Sequence, residues 1–441
     1  KDQYFEGIET MELDVSNIRN GINSSENNLN SVEIIDATSL VRVENAPFEG
    51  VQDGKVSWGD YDRDGDMDLL LMGQGAEGTI TRLYRNDEGE FIDSNQNFKK
   101  FIAGDTEFVD LNQDGWLDIA FSGNTPEGRL SELYINRGDS GTVYFELSTN
   151  YSVAGLSQSD MEFADLDNDG DQDLVIAGID SNNQYTSKYY TNLGNFRFKM
   201  ETLFGDYGII QPQVYAYDAN NDGDLDLGIA GMDRNNNFQS HFRVNRYFEP
   251  DSNEWDELYA RAFENGRTVY QDFNLDGSMD FIAMGVYNNG DIAQESNLAI
   301  SLDPIYNPDF DFADYNNDGL SDVIITGEDE SGVPLTKLYV TTSGEGSSFE
   351  LLPTDIDLVA LRESSVDWID YDLDGDLDLF MTGLNEEGVP VSILYKAENY
   401  ENQNQAPAKI ENLSFEDKSN GLIRFYWDAP TDDVSSKFRY A

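Results

Sequence analysis

The sequence predicts an all-β fold built from seven copies of one structural unit. An acidic nine-residue pattern with a central glycine occurs seven times, and the copies begin 42 to 56 residues apart. Each copy is followed by a short apolar run that ends at a glycine, as in "DLLLMG", "DLVIAG" and "DVIITG". Short buried strands that recur every 40 to 50 residues are typical of the blades of a β-propeller. We therefore predict a seven-bladed β-propeller.

The composition excludes several classes of partner. The 441 residues include 27 Lys and Arg against 86 Asp and Glu, a formal charge of −59, while 39% are hydrophobic and provide for buried cores. This negative field repels nucleic acid and anionic membrane surfaces, so we expect no nucleic-acid partner. No apolar run approaches the roughly 20 residues of a membrane span, so we expect no membrane insertion. The absence of cysteine excludes disulfides and zinc–thiolate sites.

The acidic pattern has fixed and free positions. Positions 1, 5 and 9 are always Asp, position 3 is Asp or Asn, position 6 is always Gly, and position 7 varies freely. We number the copies as loops in chain order: loop 1 (60–68), loop 2 (110–118), loop 3 (165–173), loop 4 (218–226), loop 5 (272–280), loop 6 (314–322) and loop 7 (370–378).

The spacing of the acidic residues matches calcium chemistry. Ca²⁺ takes six to eight oxygen ligands, and alternate residues of a tight loop place their side chains on one side. Glycine at position 6 permits the sharp bend, and the carboxylates repel one another unless a cation lies among them. Position 7 is expected to contribute its backbone carbonyl, because Trp116 and Leu320 have no side-chain oxygen. Asp at position 9 is expected to close the site with both oxygens.

The prediction is up to seven calcium ions, one in each loop. The candidate ligands are Asp60, Asp62, Asp64, Asp66 and Asp68; Asp110, Asn112, Asp114, Trp116 and Asp118; Asp165, Asp167, Asp169, Asp171 and Asp173; Asp218, Asn220, Asp222, Asp224 and Asp226; Asp272, Asn274, Asp276, Ser278 and Asp280; Asp314, Asn316, Asp318, Leu320 and Asp322; and Asp370, Asp372, Asp374, Asp376 and Asp378.

The pattern differs from an EF-hand, which shares positions 1, 3, 5 and 6. An EF-hand requires an acidic residue at position 12 and flanking helices. Position 12 is apolar in every copy: Leu71, Phe121, Ile176, Ile229, Ala283, Ile325 and Met381. The flanking segments have the short apolar runs of buried strands, so we place the loops between the first and second strands of each blade.

The ends of the repeat region suggest how the ring closes. The last copy is followed by two further strand-like segments and then by "ENYENQNQAP", so its outer strand is missing. Residues 31–40, "SVEIIDATSL", resemble an outer strand without a blade of its own. We expect residues 31–40 to complete blade seven, so that both ends of the region close the ring and leave no long exposed sheet edge.

These loops resemble FG-GAP/VCBS repeats, found in the propellers of integrin α-subunits and in large secreted bacterial surface proteins. The resemblance covers about residues 31–397 and implies a seven-bladed propeller with metal ligands at positions 1, 3, 5, 7 and 9 of each loop. The Phe-Gly and Gly-Ala-Pro elements of the repeat's name are not recognisable here. All seven copies keep the loop, which favours the bacterial type over an integrin-like ligand site.

The remaining segments define the predicted domain organisation. Residues 1–30 are an N-terminal extension without an interpretable motif, 31–397 form the propeller, and 398–405 are a linker. Residues 406–441 resemble the start of a fibronectin type III domain, which takes about 90–100 residues and is therefore truncated here. We expect further domains of the same longer chain.

The expected function is that of a calcium-stabilised module of a secreted or cell-surface protein. We expect adhesion, display, or binding of a protein or glycan ligand on the face opposite the calcium loops. The chain is expected not to be an enzyme, because the single histidine, His241, has no nucleophile and orienting partner in view and most aspartates are assigned to the loops. Two alternatives stay open: a carbohydrate-active, polysaccharide lyase-like propeller, and a pure structural spacer.

Overall fold

A computed structural model describes most of the chain between residues 39 and 398, together with short segments outside it. The described residues are 9–11, 32–34, 39–138, 143–201, 209–218, 224–232, 238–244, 256–258, 264–271, 280–286, 292–296, 302–303, 305–341, 351–353, 358–398, 411–417 and 423–428. These residues contain strands and no helix, which confirms the all-β prediction. Accordingly, the described part has no helix of the length and apolarity that a membrane span requires.

The strands follow the sequence repeats, which we number as their loops. Repeats 1 to 3 contain β4 (Val51–Gly59), β5 (Asp68–Gly75), β6 (Gly78–Arg85) and β7 (Ile92–Asp93); β8 (Ile102–Val109), β9 (Asp118–Thr125), β10 (Gly128–Asn136) and β11 (Phe145–Leu147); and β12 (Ser157–Ala164), β13 (Asp173–Ile179), β14 (Tyr185–Asn192) and β15 (Phe198–Glu201).

Repeats 4 to 7 have the same order. They contain β16 (Ile210–Tyr217), β17 (Asp226–Met232), β18 (Phe238–Val244) and β19 (Asp256–Leu258); β20 (Glu264–Gln271), β21 (Asp280–Val286) and β22 (Ile292–Ser296); β23 (Tyr306–Ala313), β24 (Asp322–Glu328), β25 (Pro334–Thr341) and β26 (Leu351–Pro353); and β27 (Arg362–Ile369), β28 (Asp378–Leu384) and β29 (Pro390–Glu398).

Each repeat forms an antiparallel sheet whose strands pair in chain order. Repeats 2, 3, 4 and 6 are four-stranded, and repeat 5 has three strands among the described residues. The second strands are almost wholly buried: β5 has one partly exposed residue, and every residue of β28 is buried. Their continuous apolar sequences, such as that of Asp68–Gly75, follow from burial on both faces.

The outer strand of repeat 7 comes from the other end of the chain. Strand β3 (Ser39–Arg42) pairs with β29, from Ser39 opposite Glu398 to Arg42 opposite Tyr395. Residues 39 and 40 of the expected segment 31–40 thus lie in this strand, whereas β2 (Val32–Ile34) pairs with β1 (Glu9–Met11). A further bridge from Val51 to Val391 joins repeats 7 and 1 into one eight-stranded sheet.

The first strands of successive repeats lie next to one another. Contacts link β4 with β8, β8 with β12, β12 with β16, β16 with β20, β20 with β23, β23 with β27, and β27 with β4. The apolar clusters lie between neighbouring repeats rather than within one sheet. Trp58 of repeat 1, for example, packs at 5.5 Å from Phe380 of repeat 7, and Phe108 stacks on Tyr61 at 6.3 Å. Aromatic residues before the loops therefore pack adjacent sheets against each other.

Buried asparagines at the ends of three third strands connect neighbouring repeats. Asn136 is 2% exposed, and its Nδ2 donates to the carbonyl of Leu117 at 3.0 Å and to that of Tyr61 in the preceding repeat at 2.8 Å. Asn86 and Asn192 make the equivalent pairs of hydrogen bonds. Each asparagine thus satisfies two backbone acceptors at a boundary between sheets.

The described segments outside the repeats form two antiparallel strand pairs, β1 with β2 and a second pair near the C-terminus. Strands β30 (Glu411–Asp417) and β31 (Ile423–Asp428) pair with each other within the region predicted to begin a fibronectin type III domain. The predicted linker 398–405 lies outside the described residues except for residue 398, as does most of the predicted extension 1–30.

Replacing Asn136 by alanine should destabilise the protein by about 2 kcal/mol, because two buried carbonyls lose their donor. Urea unfolding at fixed calcium concentration measures this change. The exposed Asn97→Ala variant is the matched control and should stay within about 0.5 kcal/mol of the unmodified protein. Equal stabilities of the two variants would contradict the connecting role.

Candidate metal centres and a first-strand carboxylate cluster

The acidic loops join the first strand of each repeat to the second, so they lie at equivalent positions in the described repeats. Their bend requires glycine at position 6: Gly65 and Gly115 have φ values of +101° and +83°, in the left-handed region that side chains disfavour. Loops 1, 2, 3, 6 and 7 are described in full. Loop 4 is described at Asp218 and from Asp224 to Asp226.

The aspartate at position 1 holds the loop closed. In loop 1, Asp60 accepts hydrogen bonds from the backbone N–H groups of Asp64 and Gly65, both at 3.1 Å. The same pair of bonds occurs in loops 2, 3 and 6, and the bond from the glycine occurs in loop 7. The aspartate at position 5 then accepts from the N–H of position 7, as Asp64 does from Asp66 at 3.1 Å. These bonds turn the chain around the carboxylates.

Position 3 provides the observation that bears most directly on a ligand. Three described loops have aspartate at this position: Asp62, Asp167 and Asp372. In all three the Oδ1 atom is buried and has no hydrogen-bond partner. Buried carboxylate oxygens without partners are costly, since an acceptor removed from water loses its hydration without compensation.

Three loops bring carboxylates close enough to share one ion. Oxygen atoms of three side chains lie within 4.8 Å of one another in each of the following sets: Asp60, Asp62 and Asp68; Asp165, Asp167 and Asp169; and Asp370, Asp372 and Asp374. The donors are all hard oxygens, which suit Ca²⁺ and Mg²⁺ rather than soft transition metals. Together with the unpartnered oxygens, this donor set fits a divalent cation.

Position 9 has a second role that the sequence did not reveal. Asp68 is fully buried; its Oδ1 accepts the N–H of Asn86 at 2.8 Å, and its Oδ2 accepts the N–H of Tyr61 at 3.0 Å. Asp118 and Asp378 make the same two kinds of bond. Burial raises the pKa of Asp68 to about 8, and a cation in the loop would oppose this by favouring the ionised form.

Position 7 differs from loop to loop. The side chains of Asp224 and Asp376 accept hydrogen bonds from neighbouring loops, at 2.9 and 2.8 Å. In loop 2 the Trp116 ring lies 4.2 Å from the guanidinium carbon of Arg63. The side chains at position 7 thus contact neighbouring loops, and the predicted ligand role of the position 7 carbonyl stays a prediction.

Two basic side chains lie beside loops 1 and 7. Arg85 is 3.9 Å from Asp62, while Lys396 forms an ion pair with Asp372 and lies 2.9 Å from Asp374. Both follow the tyrosine of the third strand by one residue, so the repeat alignment could have identified them. They add positive charge next to two of the proposed sites.

Several predicted ligands lie outside the described residues. They are Asn220 and Asp222 of loop 4 and Asp272, Asn274, Asp276 and Ser278 of loop 5. Asp280 begins β21.

A separate group of charged side chains lies on the first strands of repeats 1 to 3. This first-strand cluster consists of Lys55, Asp105, Glu107, Asp160 and Glu162. Lys55 lies 3.1 Å from Asp160 and 3.8 Å from Asp105, so it reaches a strand two repeats away. Asp105 and Asp160 also accept backbone N–H groups of the next first strand, at 2.9 and 2.7 Å.

The two glutamates of the first-strand cluster have raised pKa values. Burial raises the pKa of Glu162 to about 8, helped by the charges of Asp160 and Asp105. Burial and the same neighbours raise the pKa of Glu107, while Lys55 opposes the shift. The cluster was not recognised in the sequence, because its members are dispersed over three repeats and meet only in the folded chain.

Comparison with protein families identifies the repeat. The model of the FG-GAP-like repeat matches residues 60–121, 110–176 and 165–229. Residues 60–229 thus match FG-GAP-like repeats, and the resemblance inferred from the loops is confirmed for this part of the chain. No curated protein matches the chain.

The solved structures to which this chain is similar share little sequence identity with it. AofleA from Arthrobotrys oligospora has 12% identity and a TM-score of 0.40, with 82% of this chain and 91% of that chain covered. The α-L-arabinanase of Penicillium chrysogenum, complexed with arabinobiose, has 11% identity and a TM-score of 0.38, with 82% and 97% covered. A thermostable family-43 glycoside hydrolase has 8% identity and a TM-score of 0.31, with 89% and 97% covered.

These similarities correct the expectation that the chain is not an enzyme. Two of the three structures are an arabinanase and a glycoside hydrolase, so the exclusion of catalysis does not stand. The expectation had rested on His241 and on assigning most aspartates to the loops, and it overlooked the first-strand cluster. With identities of 8 to 12%, the similarities do not identify a reaction for this chain.

Stability should fall as the pH rises from about 5 to about 8, because the raised pKa of Glu162 makes the folded state bind more protons than the unfolded state in this range. In the Glu162→Gln variant, the free energy of unfolding should fall by on the order of 1–2 kcal/mol less over this pH range than in the unmodified protein. Urea unfolding at both pH values, at constant calcium, measures it. The exposed Glu127→Gln variant should keep the full pH dependence; an equal dependence in both variants would contradict the burial effect.

Proposed function

We propose that this chain is a seven-bladed β-propeller module that binds one calcium ion in each acidic loop and uses the ions to fix its loops. The observation that carries the proposal is the buried Oδ1 atom without a hydrogen-bond partner in each of Asp62, Asp167 and Asp372. A cation in the loop would supply the missing partner and would offset the repulsion between the carboxylates.

The blade count is supported by the arrangement of the first strands. Contacts run from each first strand to the next and return from β27 to β4, so the seven repeats follow one another around a common axis. The pairing of β3 with β29 and the bridge between Val51 and Val391 join the last repeat to the first. Such closure protects the sheet edges, as expected of a propeller.

Calcium is favoured over other divalent ions by the donor set and by the flexible carboxylate geometry. Mg²⁺ requires near-ideal octahedral geometry at about 2.0–2.1 Å, whereas Ca²⁺ accepts six to eight oxygens at about 2.3–2.6 Å. We place the affinity in the weak extracellular range, about 10⁻⁴–10⁻³ M. Saturation would then need the millimolar calcium of extracellular fluids, which agrees with a secreted or cell-surface location.

A display or adhesion role is consistent with this geometry. The loops occupy the face where first strands lead into second strands, and the hairpins between second and third strands occupy the opposite face. Val333 and Val389 are about half exposed in the hairpins of repeats 6 and 7. We propose this face as the binding surface for a protein or glycan.

Metal binding is tested most cleanly in loop 3. Asp167→Ala removes a proposed ligand, whereas Asp167→Asn introduces the residue that loops 2, 4, 5 and 6 have at position 3. We expect Asp167→Ala to bind one calcium ion fewer than the unmodified protein, and Asp167→Asn to bind the full number. Equilibrium dialysis with elemental analysis counts the ions. Equal counts in the alanine and asparagine variants would contradict the site.

Removing the metal should also lower the melting temperature. At 1 mM calcium and a Kd of about 10⁻⁴–10⁻³ M, each occupied site stabilises the folded state by about 0.4–1.4 kcal/mol, so several sites together give a shift of several degrees. Calorimetry in excess EDTA and in millimolar calcium measures the shift. Unchanged melting would show that no structural ion is present.

A carbohydrate-active propeller is the second candidate, favoured by the first-strand cluster. Glycoside hydrolysis uses two carboxyl groups, one of which keeps its proton at neutral pH, and raised pKa values are the property such an acid needs. Glu107 and Glu162 both have raised pKa values, and the charge of Lys55 acts on Glu107.

The second candidate predicts polysaccharide cleavage that depends on the first-strand cluster. A panel of neutral and acidic polysaccharides in millimolar calcium should release products with the unmodified protein and at least 100-fold fewer with Glu107→Gln or Glu162→Gln. Asp167→Asn, which keeps its metal, is the active control. Absence of products from the whole panel, or full activity in both glutamine variants, would contradict this candidate.

A further inference from the structure

The residue at position 4 of each loop is not a predicted ligand, yet it has a distinctive conformation. In all five fully described loops it has a left-handed backbone, with φ from 56° to 63°: Arg63, Gln113, Asn168, Asn317 and Leu373. The polar members of this set extend to the next loop along the chain and form hydrogen bonds there. We call each such set of contacts a latch.

The latch from loop 1 to loop 2 is the most extensive. The Nε of Arg63 donates to the carbonyl of Gly115 at 2.8 Å, and its Nη2 donates to the carbonyl of Asp114 at 2.9 Å. The guanidinium group also lies over the Trp116 ring. Arg63 therefore contacts positions 5, 6 and 7 of the following loop.

The other latches have the same direction. Gln113 of loop 2 donates to the carbonyl of Gly170 in loop 3 at 2.5 Å. Asn168 of loop 3 donates to Oδ1 of Asp224 in loop 4 at 2.9 Å, and Asn317 of loop 6 donates to Oδ1 of Asp376 in loop 7 at 2.8 Å. Every latch ends on positions 6 or 7 of the next loop, or on positions 5 to 7 in the case of Arg63.

This placement connects the two sites mechanically. Position 4 lies between the proposed ligands at positions 3 and 5 of its own loop, so an ion bound there fixes its backbone. The acceptor lies in the segment that holds the proposed ligands at positions 5 and 7 of the next loop. Ordering one loop therefore lowers the entropic cost of ordering the next.

The series of latches is interrupted where position 4 has no donor. Leu373 of loop 7 is 53% exposed and has no polar side-chain atom to offer loop 1. Loop 5 has Leu275 at the same position, by sequence. The polar residues lie in loops 1 to 4 and in loop 6.

We propose that the latches couple calcium binding between neighbouring loops, so that an ion in one loop raises the affinity of the next, and that this coupling is absent between loop 7 and loop 1. The inference rests on the proposed metal binding and adds its regulation. Coupling through about one hydrogen bond corresponds to a two- to tenfold change in affinity, and it is reciprocal between the two sites.

A site-resolved titration is available because every loop has an Asp-Gly pair at positions 5 and 6. Labelling with ¹³C-aspartate and ¹⁵N-glycine selects the amide signals of these pairs in a deuterated sample. The chain has one further Asp-Gly pair, Asp53–Gly54, which lies outside the loops and serves as an internal reference. Calcium titration then gives one midpoint for each loop.

The coupling is tested between loops 6 and 7 with a double-mutant cycle. Asp318→Ala removes a proposed ligand of loop 6, and Asp318→Asn keeps the shape of the side chain but removes its negative charge, which weakens calcium binding. Asn317→Leu removes the latch by placing there the residue that the chain itself has at position 4 of loop 7. Leu373→Ala is the control at a position 4 without a latch.

We expect either Asp318 variant to raise the calcium midpoint of loop 7, read at Gly375, about two- to tenfold in the otherwise unmodified chain, and to leave it unchanged when Asn317→Leu is also present. Leu373→Ala should not move the midpoint of loop 1. An unchanged loop 7 midpoint in both Asp318 variants, with normal calcium response of the other signals, would overturn the coupling alone. Absence of any calcium response in the loop signals would overturn the proposed metal binding and the coupling with it.

Discussion

The repulsion between carboxylates that share one short loop is the constraint on which the rest of this structure depends. In loops 1, 3 and 7, oxygens of three aspartates lie within 4.8 Å of one another, and in each of these loops the buried Oδ1 of position 3 has no hydrogen-bond partner. Backbone N–H groups compensate part of this charge, since Asp60 and Asp64 accept bonds from within their own loop. A divalent cation is the group that would compensate the remainder.

The fold makes this unfavourable arrangement possible by anchoring both ends of each loop. The aspartate at position 9 begins the second strand, and its two oxygens bind the N–H groups of position 2 and of the end of the third strand, as Asp68 shows. Asn86 at that end then donates to the carbonyl of Tyr371 in repeat 7. In repeats 1 to 3 the end of the third strand is therefore bound both to its own loop and to the preceding repeat. Local metal binding and the association of sheets are thereby expected to depend on each other.

Much of this could be predicted from the sequence because the repeat is compared with itself seven times. The invariant glycine predicted the bend seen at Gly65, and the apolar run from Asp68 to Gly75 predicted a strand buried on both faces. The sequence predicted a closing strand within residues 31–40, and the strand that pairs with β29 is Ser39–Arg42. Its exact position could not be predicted, because a strand of four residues has too few positions for a distinctive pattern.

The contacts between repeats could not be predicted in the same way. A position that varies among the copies, such as position 4, looks unconstrained in an alignment, although Arg63, Gln113 and Asn168 use different chemistry to reach the same segment of the next loop. Lys55 and Glu162 are more than 100 residues apart, and only the arrangement of first strands brings their charges together. The mistaken exclusion of catalysis has the same cause, since it considered motifs within single repeats.

Anomalous X-ray diffraction from crystals grown in millimolar calcium would test the central claim most directly, at a wavelength where calcium scatters measurably. We expect one anomalous peak in each acidic loop, about 2.3–2.6 Å from the Oδ1 atoms of Asp62, Asp167 and Asp372. Loops without such peaks in calcium-saturated crystals, with these oxygens bound to water or protein donors instead, would contradict the claim.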